Sequence, residues 1–275
     1  MTLAMARDDR TAAPLRFSAG TAAPRTALPA GACDGHVHLY DSRFPVEPAA
    51  RLRPPDAGVD DLRALQRRIG TARAVLVTPS TYGTDNRCML EGLAALGSAA
   101  RGVAVIGGHE RDAELLCLHE AGVRGVRLNL SLGVSGTVDS LMPLARRIAP
   151  LGWHLQLLMA PDLLVEQAGV LRQLPVPLVF DHLGRIPPAL AARHPAHALL
   201  LELLQDGRAW MRWPPATCAR RRNASSGAAT GPMPRPRPAC SRCRTCRPAS
   251  CARCPSPRRS GSRRCPPCPP WARSA

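Results

Sequence analysis

The sequence has 275 residues and a formal net charge of +17, and all 37 of its basic residues are arginine. No apolar run reaches the roughly 18 residues that a membrane-spanning helix needs. Residues 1–30 carry charges and prolines where a secretory signal would have an apolar core, so we expect a cytoplasmic protein.

The charge is unevenly distributed along the chain. Residues 1–212 hold 23 Arg and 20 acidic residues, whereas residues 213–275 hold 14 Arg, no acidic residue and 8 of the 11 Cys. The second segment contains no Leu, Ile, Val, Phe or Tyr, so it cannot bury enough apolar surface to offset its conformational entropy. We therefore predict a disordered extension over 1–30, a folded domain over 31–212 and a disordered Arg/Pro/Cys-rich tail over 213–275.

Within the folded domain, predicted strands alternate with predicted helices. Strands are predicted at 31–38, 72–78, 101–106, 123–130, 153–159, 177–180 and 208–212, and helices at 59–69, 86–96, 112–121, 138–149, 161–173 and 196–205. This alternation is typical of a parallel sheet covered by helices, and seven such units favour an incomplete TIM (β/α)8 barrel without its eighth strand. An open doubly wound sheet is the alternative, but it would want a glycine-rich phosphate loop after the first strand, which is absent.

The first predicted strand ends in a pair of histidines. His36 and His38 are two residues apart, so their side chains point to the same side of a strand, where they could bind a divalent metal or polarise a carbonyl. A pair of structural histidines near a loop explains the bare motif equally well. The carboxyl ends of barrel strands carry the chemistry of this fold class, and this pair lies at one of them.

Five blocks of sequence resemble one known family in the family's own order. They are CDGHVHLYDSRFP (33–45), VLVTPSTYGTDNRCMLEGL (75–93), AGVRGVRLNL (121–130), GWHLQLLM (152–159) and VFDHLGRIP (179–187). Together they resemble the amidohydrolase superfamily, which has a metal-dependent-hydrolase barrel. The branch that they resemble most holds 2-pyrone-4,6-dicarboxylate lactonases and related sugar-lactone and muconolactone hydrolases or isomerases.

This resemblance implies roles for particular residues. His36, His38 and His182 match the active-site histidines that hold the lactone carbonyl or, in some members, a metal. Substrate contacts are implied for Ser80, Arg127 and Arg185, and the planar fork of arginine suits a carboxylate. Asp34 and Asp181 are expected to orient His36 and His182. The resemblance thus predicts hydrolysis or isomerisation of a small carboxylated lactone, with a decarboxylase of the same superfamily as the alternative enzyme.

The sequence also departs from the family pattern. The strand-4 segment carries Arg127 instead of the lysine or glutamate that bridges two metals in other members, so we expect no essential cofactor and at most one zinc or manganese ion, held loosely by His36 and His38. Gly133 and Leu52 stand where the dicarboxylate lactonase has an arginine and a tyrosine, which favours a sugar-acid lactone or a muconolactone as the substrate. No acidic residue follows Asp206, so the family's strand-8 aspartate is missing and we expect impaired activity.

Three interpretations of the tail remain open. Its CxxC spacings, beginning with Cys240 and Cys243, could indicate a zinc module, but the tail has neither His nor an apolar core. Its arginines could bind nucleic acid nonspecifically, which would make the chain a non-catalytic basic protein. Out-of-frame translation of a GC-rich gene is the third interpretation. The sequence does not predict the oligomeric state.

Overall fold

The computed structural model describes residues 24–131, 136–190 and 193–211. Seven parallel strands form one curled sheet in chain order. They are β1 (Cys33–Val37), β2 (Arg73–Val77), β3 (Ala100–Ala104), β4 (Val123–Asn129), β5 (His154–Leu158), β6 (Leu178–Phe180) and β7 (Ala209–Met211). Within the described residues no further strand joins the outer edges of β1 and β7, so the predicted incomplete barrel is confirmed.

Seven α-helices connect the strands. They are α1 (Val59–Ile69), α2 (Arg87–Leu96), α3 (Asp112–Glu120), α4 (Leu141–Ile148), α5 (Pro161–Glu166), α6 (Ala168–Gln173) and α7 (Pro195–Gln205). A single helix is predicted for 161–173, but the structure has two, because the backbone of Gln167 leaves the helical region at φ −93° and ψ 9°. In the part of the chain that the structure describes, no helix combines the length and apolar character needed to cross a membrane.

The strands divide their side chains between the helical layer and the barrel interior. On β5 and β6 the side chains that face the helices are apolar and at most 1% exposed: Leu155, Leu157, Leu178 and Phe180. Strand side chains alternate between faces, so the residues between them point into the barrel. There the parallel register aligns Arg127, Gln156, Val179 and Trp210 in one row across β4 to β7.

The amino-terminal end of the sheet carries a layer of basic side chains that bind backbone carbonyls. Arg73 Nε donates to Gly31 O at 2.7 Å, and Arg124 Nη1 donates to His119 O at 2.7 Å in the last turn of α3. His154 lies in the same layer with its ring against Gly125, where a Cβ atom would overlap it. Burial lowers the pKa of His154 to about 4. These contacts agree with a packing role at this end.

Several predictions fall on residues that the structure leaves undescribed. Most of the predicted extension (residues 1–23), the segment 132–135 with Gly133, and the whole predicted tail lie outside the described residues. The three interpretations of the tail therefore stay predictions.

Candidate active site

A bulge in β1 positions the histidine pair. Asp34 pairs with Ala74 of β2 while Val37 pairs with Leu76, so β1 contains one more residue than its partner over this interval. Such a bulge redirects the side chain that it contains. The Asp34 carboxylate stabilises it by accepting the His36 backbone N–H at 3.2 Å. The contact that the structure shows between Asp34 and His36 is thus to the backbone, and the predicted role of Asp34 in orienting His36 stays a prediction.

The two imidazole rings of His36 and His38 meet in a T-shaped arrangement. Their ring centroids are 4.6 Å apart with an interplanar angle of 79°, and His36 Nε2 lies 3.1 Å from His38 Nε2. His38 Nδ1 is 2.8 Å from the Val77 carbonyl oxygen at the carboxyl end of β2. The sequence prediction that both rings occupy one side of the strand agrees with this geometry.

A buried carboxylate connects the histidines to β4. Asp181 follows β6 directly, and its Oδ1 lies 3.4 Å from His36 Nδ1. Arg127 Nε donates to Asp181 Oδ2 at 2.9 Å. Gln156 Nε2 lies 2.9 Å from Asp181 Oδ1 and 3.0 Å from His36 Nδ1. Four strands thus contribute side chains that form one continuous hydrogen-bonded group.

The electrostatics of this group follow from its burial. Burial by itself would raise the pKa of the Asp181 carboxyl, but the hydrogen bond and the positive charge of Arg127 act in the opposite direction, and that pKa lies well below its ordinary value. An ionised Asp181 balances the charge of Arg127, whose side chain is only 5% exposed. A buried ion pair of this kind is costly to break from either side.

The group extends across the site to β2. Asn129 Nδ2 donates to Ser80 Oγ at 2.8 Å, and Arg127 Nη1 is 3.5 Å from the same oxygen. Ser80 follows β2 and is half-buried. The predicted substrate contacts Ser80 and Arg127 are therefore neighbours.

His182 and Arg185 are placed differently from the other predicted site residues. Both side chains are exposed, on a turn after β6 in which His182, Leu183, Gly184 and Arg185 all have φ between 49° and 65°. Non-glycine residues pay about 1–2 kcal/mol each for this left-handed conformation. Gly184 permits close packing of the turn, because a Cβ there would meet Leu200 Cδ1 at 2.7 Å and Leu164 Cδ1 at 3.0 Å. The roles of His182 and Arg185 stay predictions.

The donor set does not fit a tightly bound metal ion. The described residues include no cluster of three or more His, Cys, Asp or Glu side chains that could hold one. The carboxylate nearest the histidine pair already binds the Arg127 guanidinium, and that cation would repel a second cation. Two imidazoles alone would hold a divalent ion weakly.

Sequence reasoning missed Gln156 and did not include Asn129 among the site residues. Gln156 is 2% exposed and Asn129 also 2%, which is unusual for amides. A signal for Gln156 exists: it is the one polar residue in the run LQLLM, and it lies two positions after His154, on the inner face of β5. Its partners at positions 36 and 181 come from distant parts of the chain.

The sequence and the fold of this chain have counterparts in known proteins. A family model described as "Amidohydrolase" matches residues 33–230. The chain belongs to the amidohydrolase family. The match covers every strand of the curled sheet, so the family pattern and the polar group described above lie on the same part of the chain.

Amidohydrolases similar to this chain include enzymes named for lactones. The chain is 36% identical over 206 residues to a 2-pyrone-4,6-dicarboxylate hydrolase of Comamonas testosteroni, covering 74% of this chain and 68% of the relative. It is 27% identical to a D-galactarolactone isomerase of Agrobacterium fabrum (72% and 68% covered) and 30% identical to a 4-sulfomuconolactone hydrolase of Rhizobium radiobacter (68% and 64% covered). This chain therefore spans about two thirds of the length of these relatives.

A solved amidohydrolase structure agrees with the fold. The probable 2-pyrone-4,6-dicarboxylic acid hydrolase of Acinetobacter baumannii, with citric acid bound, superposes with a TM-score of 0.60 at 28% identity. The superposition covers 66% of this chain and 69% of that one. The likeness supports the description of the curled sheet as an incomplete TIM barrel.

Proposed function

We propose that this amidohydrolase site binds a small lactone that carries a carboxylate and promotes its hydrolysis or isomerisation. The observation that carries the proposal is the connected group at the carboxyl end of the sheet, in which the His36 and His38 Nε2 atoms lie 3.1 Å apart beside the buried Arg127–Asp181 pair. Relatives named for three different lactones support this substrate class.

The residues divide into two chemical tasks. The histidine pair, with His182 from the β6 turn, would hold the lactone carbonyl oxygen and stabilise the negative charge that develops there. Arg127, Ser80 and Arg185 would bind the carboxylate and a hydroxyl, since a guanidinium gives two parallel hydrogen bonds to a carboxylate. Asp34 and Asp181 would orient the machinery without touching the substrate. A decarboxylation of the same carboxylated substrate is the alternative reaction for the site.

No metal enters the proposed reaction. A divalent zinc or manganese ion, where one binds, would be held by His36 and His38 and would polarise the same carbonyl. Because the donor set is small, we expect such an ion to be dispensable. Turnover that is unchanged after dialysis against a chelator would agree with this, and its loss, restored by added zinc or manganese, would contradict it.

We also propose that turnover is slow. Residues 207–275 contain no acidic side chain, so no carboxylate from that segment can act as the general base on water. General-base assistance contributes about 10²–10⁴-fold to such reactions. We expect the full chain to hydrolyse lactones at least about 10²-fold more slowly than the Comamonas relative under the same conditions.

The test compares lactones with and without a free carboxylate. The full chain is incubated with a muconolactone, a sugar-acid lactone and 2-pyrone-4,6-dicarboxylate, each also as its methyl ester, and products are quantified by chromatography. We expect turnover of a free acid and none of its ester, with a loss of about 10²-fold in His36→Asn. Exposed His109→Gln is the matched control. Equal rates for acids and esters, or full activity in His36→Asn, would refute the proposal.

A further inference from the structure

We infer that Gln156 is a positioning residue that keeps the proton of His36 on Nε2, so that His36 is a hydrogen-bond donor while His38 is an acceptor. The two histidines are equivalent in the sequence motif, but their surroundings differ. The inference concerns which ring nitrogen carries a proton, and it follows from the order of donors and acceptors around the pair.

The argument starts at Asp181. The Arg127 guanidinium is always charged and donates from Nε to one oxygen of this buried side chain at 2.9 Å. An ionised Asp181 balances that buried charge, and both oxygens of a carboxylate can only accept. The Gln156 amide atom that lies 2.9 Å from the other oxygen must therefore be its NH2 group. The reverse orientation would bring two acceptor oxygens into contact inside the barrel, where an unpaired acceptor is costly.

The orientation of the amide then determines the state of His36. The same NH2 nitrogen lies 3.0 Å from His36 Nδ1. Since the amide nitrogen has two hydrogens and no lone pair, it can serve both contacts only as a donor. His36 Nδ1 must therefore present its lone pair, and the proton of the neutral ring is on Nε2.

The tautomer of His38 follows from the contact that its Nδ1 makes with β2. Its Nδ1 is 2.8 Å from the Val77 carbonyl oxygen, which only accepts, so Nδ1 carries the proton. His38 Nε2 then holds a lone pair and accepts the Nε2–H of His36 across 3.1 Å. Each of these hydrogen bonds then has one donor and one acceptor, and His36 Nδ1 and Asp181 Oδ1, which are 3.4 Å apart, both accept from the same Gln156 NH2 group.

This division has a consequence for the reaction, which rests on the proposed function. When a lactone carbonyl oxygen enters, His36 Nε2–H can donate to it in place of His38. Neutral His38 can offer only a lone pair, which suits the proton of a water molecule or a hydroxyl. The motif therefore supplies one donor and one acceptor, and Gln156 decides which histidine is which.

The experiment reads the ring tautomers directly and without substrate. Long-range ¹⁵N–¹H spectra of the full, ¹⁵N-histidine-labelled chain distinguish protonated from unprotonated ring nitrogens, and His36 is assigned by the signals lost in His36→Gln. We expect a protonated Nε2 and an unprotonated Nδ1 for His36, and the reverse for His38. Spectra of the unsubstituted chain that show a protonated Nδ1 on His36 would overturn the inference, whatever the variants do.

A variant then tests the role of the amide. Gln156→Met keeps the length of the side chain but removes both donors, so His36 should move its proton to Nδ1 and donate to Asp181 Oδ1, 3.4 Å away. Leu157→Met is the control, because this fully buried neighbour on β5 faces the helices. A His36 signal unchanged in Gln156→Met, with circular dichroism that shows a folded chain, would also overturn the inference.

Kinetics separate this inference from the proposed function. With a lactone that the full chain turns over, Gln156→Met should lower kcat by about 10-fold or more while KM changes less, since the donor acts on charge that develops in the transition state. If no lactone is turned over, the proposed function fails while the tautomers can still be as inferred. If lactones are turned over but the tautomers are reversed, only the inference fails.

Discussion

The two ends of the curled sheet both hold charged side chains, but their partners differ in kind. At the amino-terminal end, Arg73 and Arg124 donate to backbone carbonyls, and so do Arg101, to Ala100 O at 2.6 Å, and Arg208, to Leu174 O at 2.7 Å. At the carboxyl-terminal end, His38 also contacts a backbone carbonyl, but the other contacts described above join side chains, up to 120 positions apart in the sequence. Contacts with backbone carbonyls hold helix ends and loops in place. Hydrogen bonds between side chains, by contrast, can be exchanged for hydrogen bonds to a ligand.

The difference between the two ends predicts different effects for substitutions of two arginines on the same strand. Arg124 and Arg127 are three positions apart on β4, where Arg127 is buried and Arg124 is half-buried. Arg124 binds the carbonyl ends of α3, where a cation also interacts favourably with the helix dipole. Arg127 binds a carboxylate that also contacts a histidine. Substitutions at the first end should affect stability alone, and those at the second end should affect ligand binding as well.

The largest effect is expected at the buried ion pair. Asp181→Asn leaves the Arg127 charge uncompensated and should lower the free energy of unfolding by about 3–5 kcal/mol. The control is Asp60→Asn, which removes the exposed Arg63–Asp60 pair (3.0 Å) and should cost less than about 1 kcal/mol. Urea denaturation of the full chain measures both values. Similar losses in the two variants would mean that the carboxyl-terminal pair is no different from a surface pair.

A pH effect is expected from His154 at the opposite end. Its pKa is about 4 in the folded protein and about 6.5 in an unfolded chain, so the unfolded chain binds this proton first. The free energy of unfolding should therefore decrease by up to about 3 kcal/mol as the pH falls from 6.5 to 4, and level off below. Urea midpoints at several pH values should show this dependence in His109→Gln but not in His154→Gln. A dependence of equal size in both variants would assign it to other groups.

A smaller effect is expected for an amino-terminal arginine. Arg124→Met removes charged hydrogen bonds to two carbonyls and should cost about 1.5–2 kcal/mol. Exposed Arg146→Met should leave stability within about 0.5 kcal/mol of the unsubstituted chain. In isothermal titration, both variants should bind a carboxylated lactone within twofold of the unsubstituted chain. A large loss of affinity in a folded Arg124→Met would contradict the division between the two ends.

The smallest effect on stability is expected at Arg185, on the exposed turn after β6. Arg185 is exposed, so Arg185→Ala should change the free energy of unfolding by less than about 0.5 kcal/mol. If Arg185 binds the substrate carboxylate, the same variant should weaken lactone binding by about 10-fold, as for one lost charged hydrogen bond. Arg193→Ala, at an exposed site before α7, is the control for charge alone. Equal affinities in both variants would remove Arg185 from the site.

The sequence predicts the strands well because their apolar runs are continuous. His36 and Arg127 lie near the carboxyl ends of β1 and β4, and Asp181 follows β6. The carboxyl ends of parallel strands meet at one edge of the sheet, so the proximity of these residues is predictable from topology. The contact between Gln156 and His36 is not predictable in the same way. It depends on the β1 bulge and on the pairing of Gln156 with Arg127, which are properties of register and not of composition.

Two other features lie beyond the sequence pattern for physical reasons. The break at Gln167 divides a segment that has helical spacing throughout, so nothing in the periodicity of 161–173 marks it. The left-handed turn after β6 contains one glycine, Gly184, while His182, Leu183 and Arg185 adopt a conformation that such residues rarely favour. This turn packs against α5 and α7 through Gly184, and these tertiary contacts cannot be read from the local sequence.

The contact between Gly125 and His154 has an evolutionary consequence. Because a Cβ at position 125 would overlap the His154 ring, any other residue at 125 requires that ring to shift. Substitution of His154 by alanine would open the space that Gly125→Ala requires. The two positions should therefore vary together among homologues, and Gly125→Ala should be harmful in the native background yet nearly neutral after His154→Ala, a case of epistasis in magnitude confined to one pair of neighbouring strands.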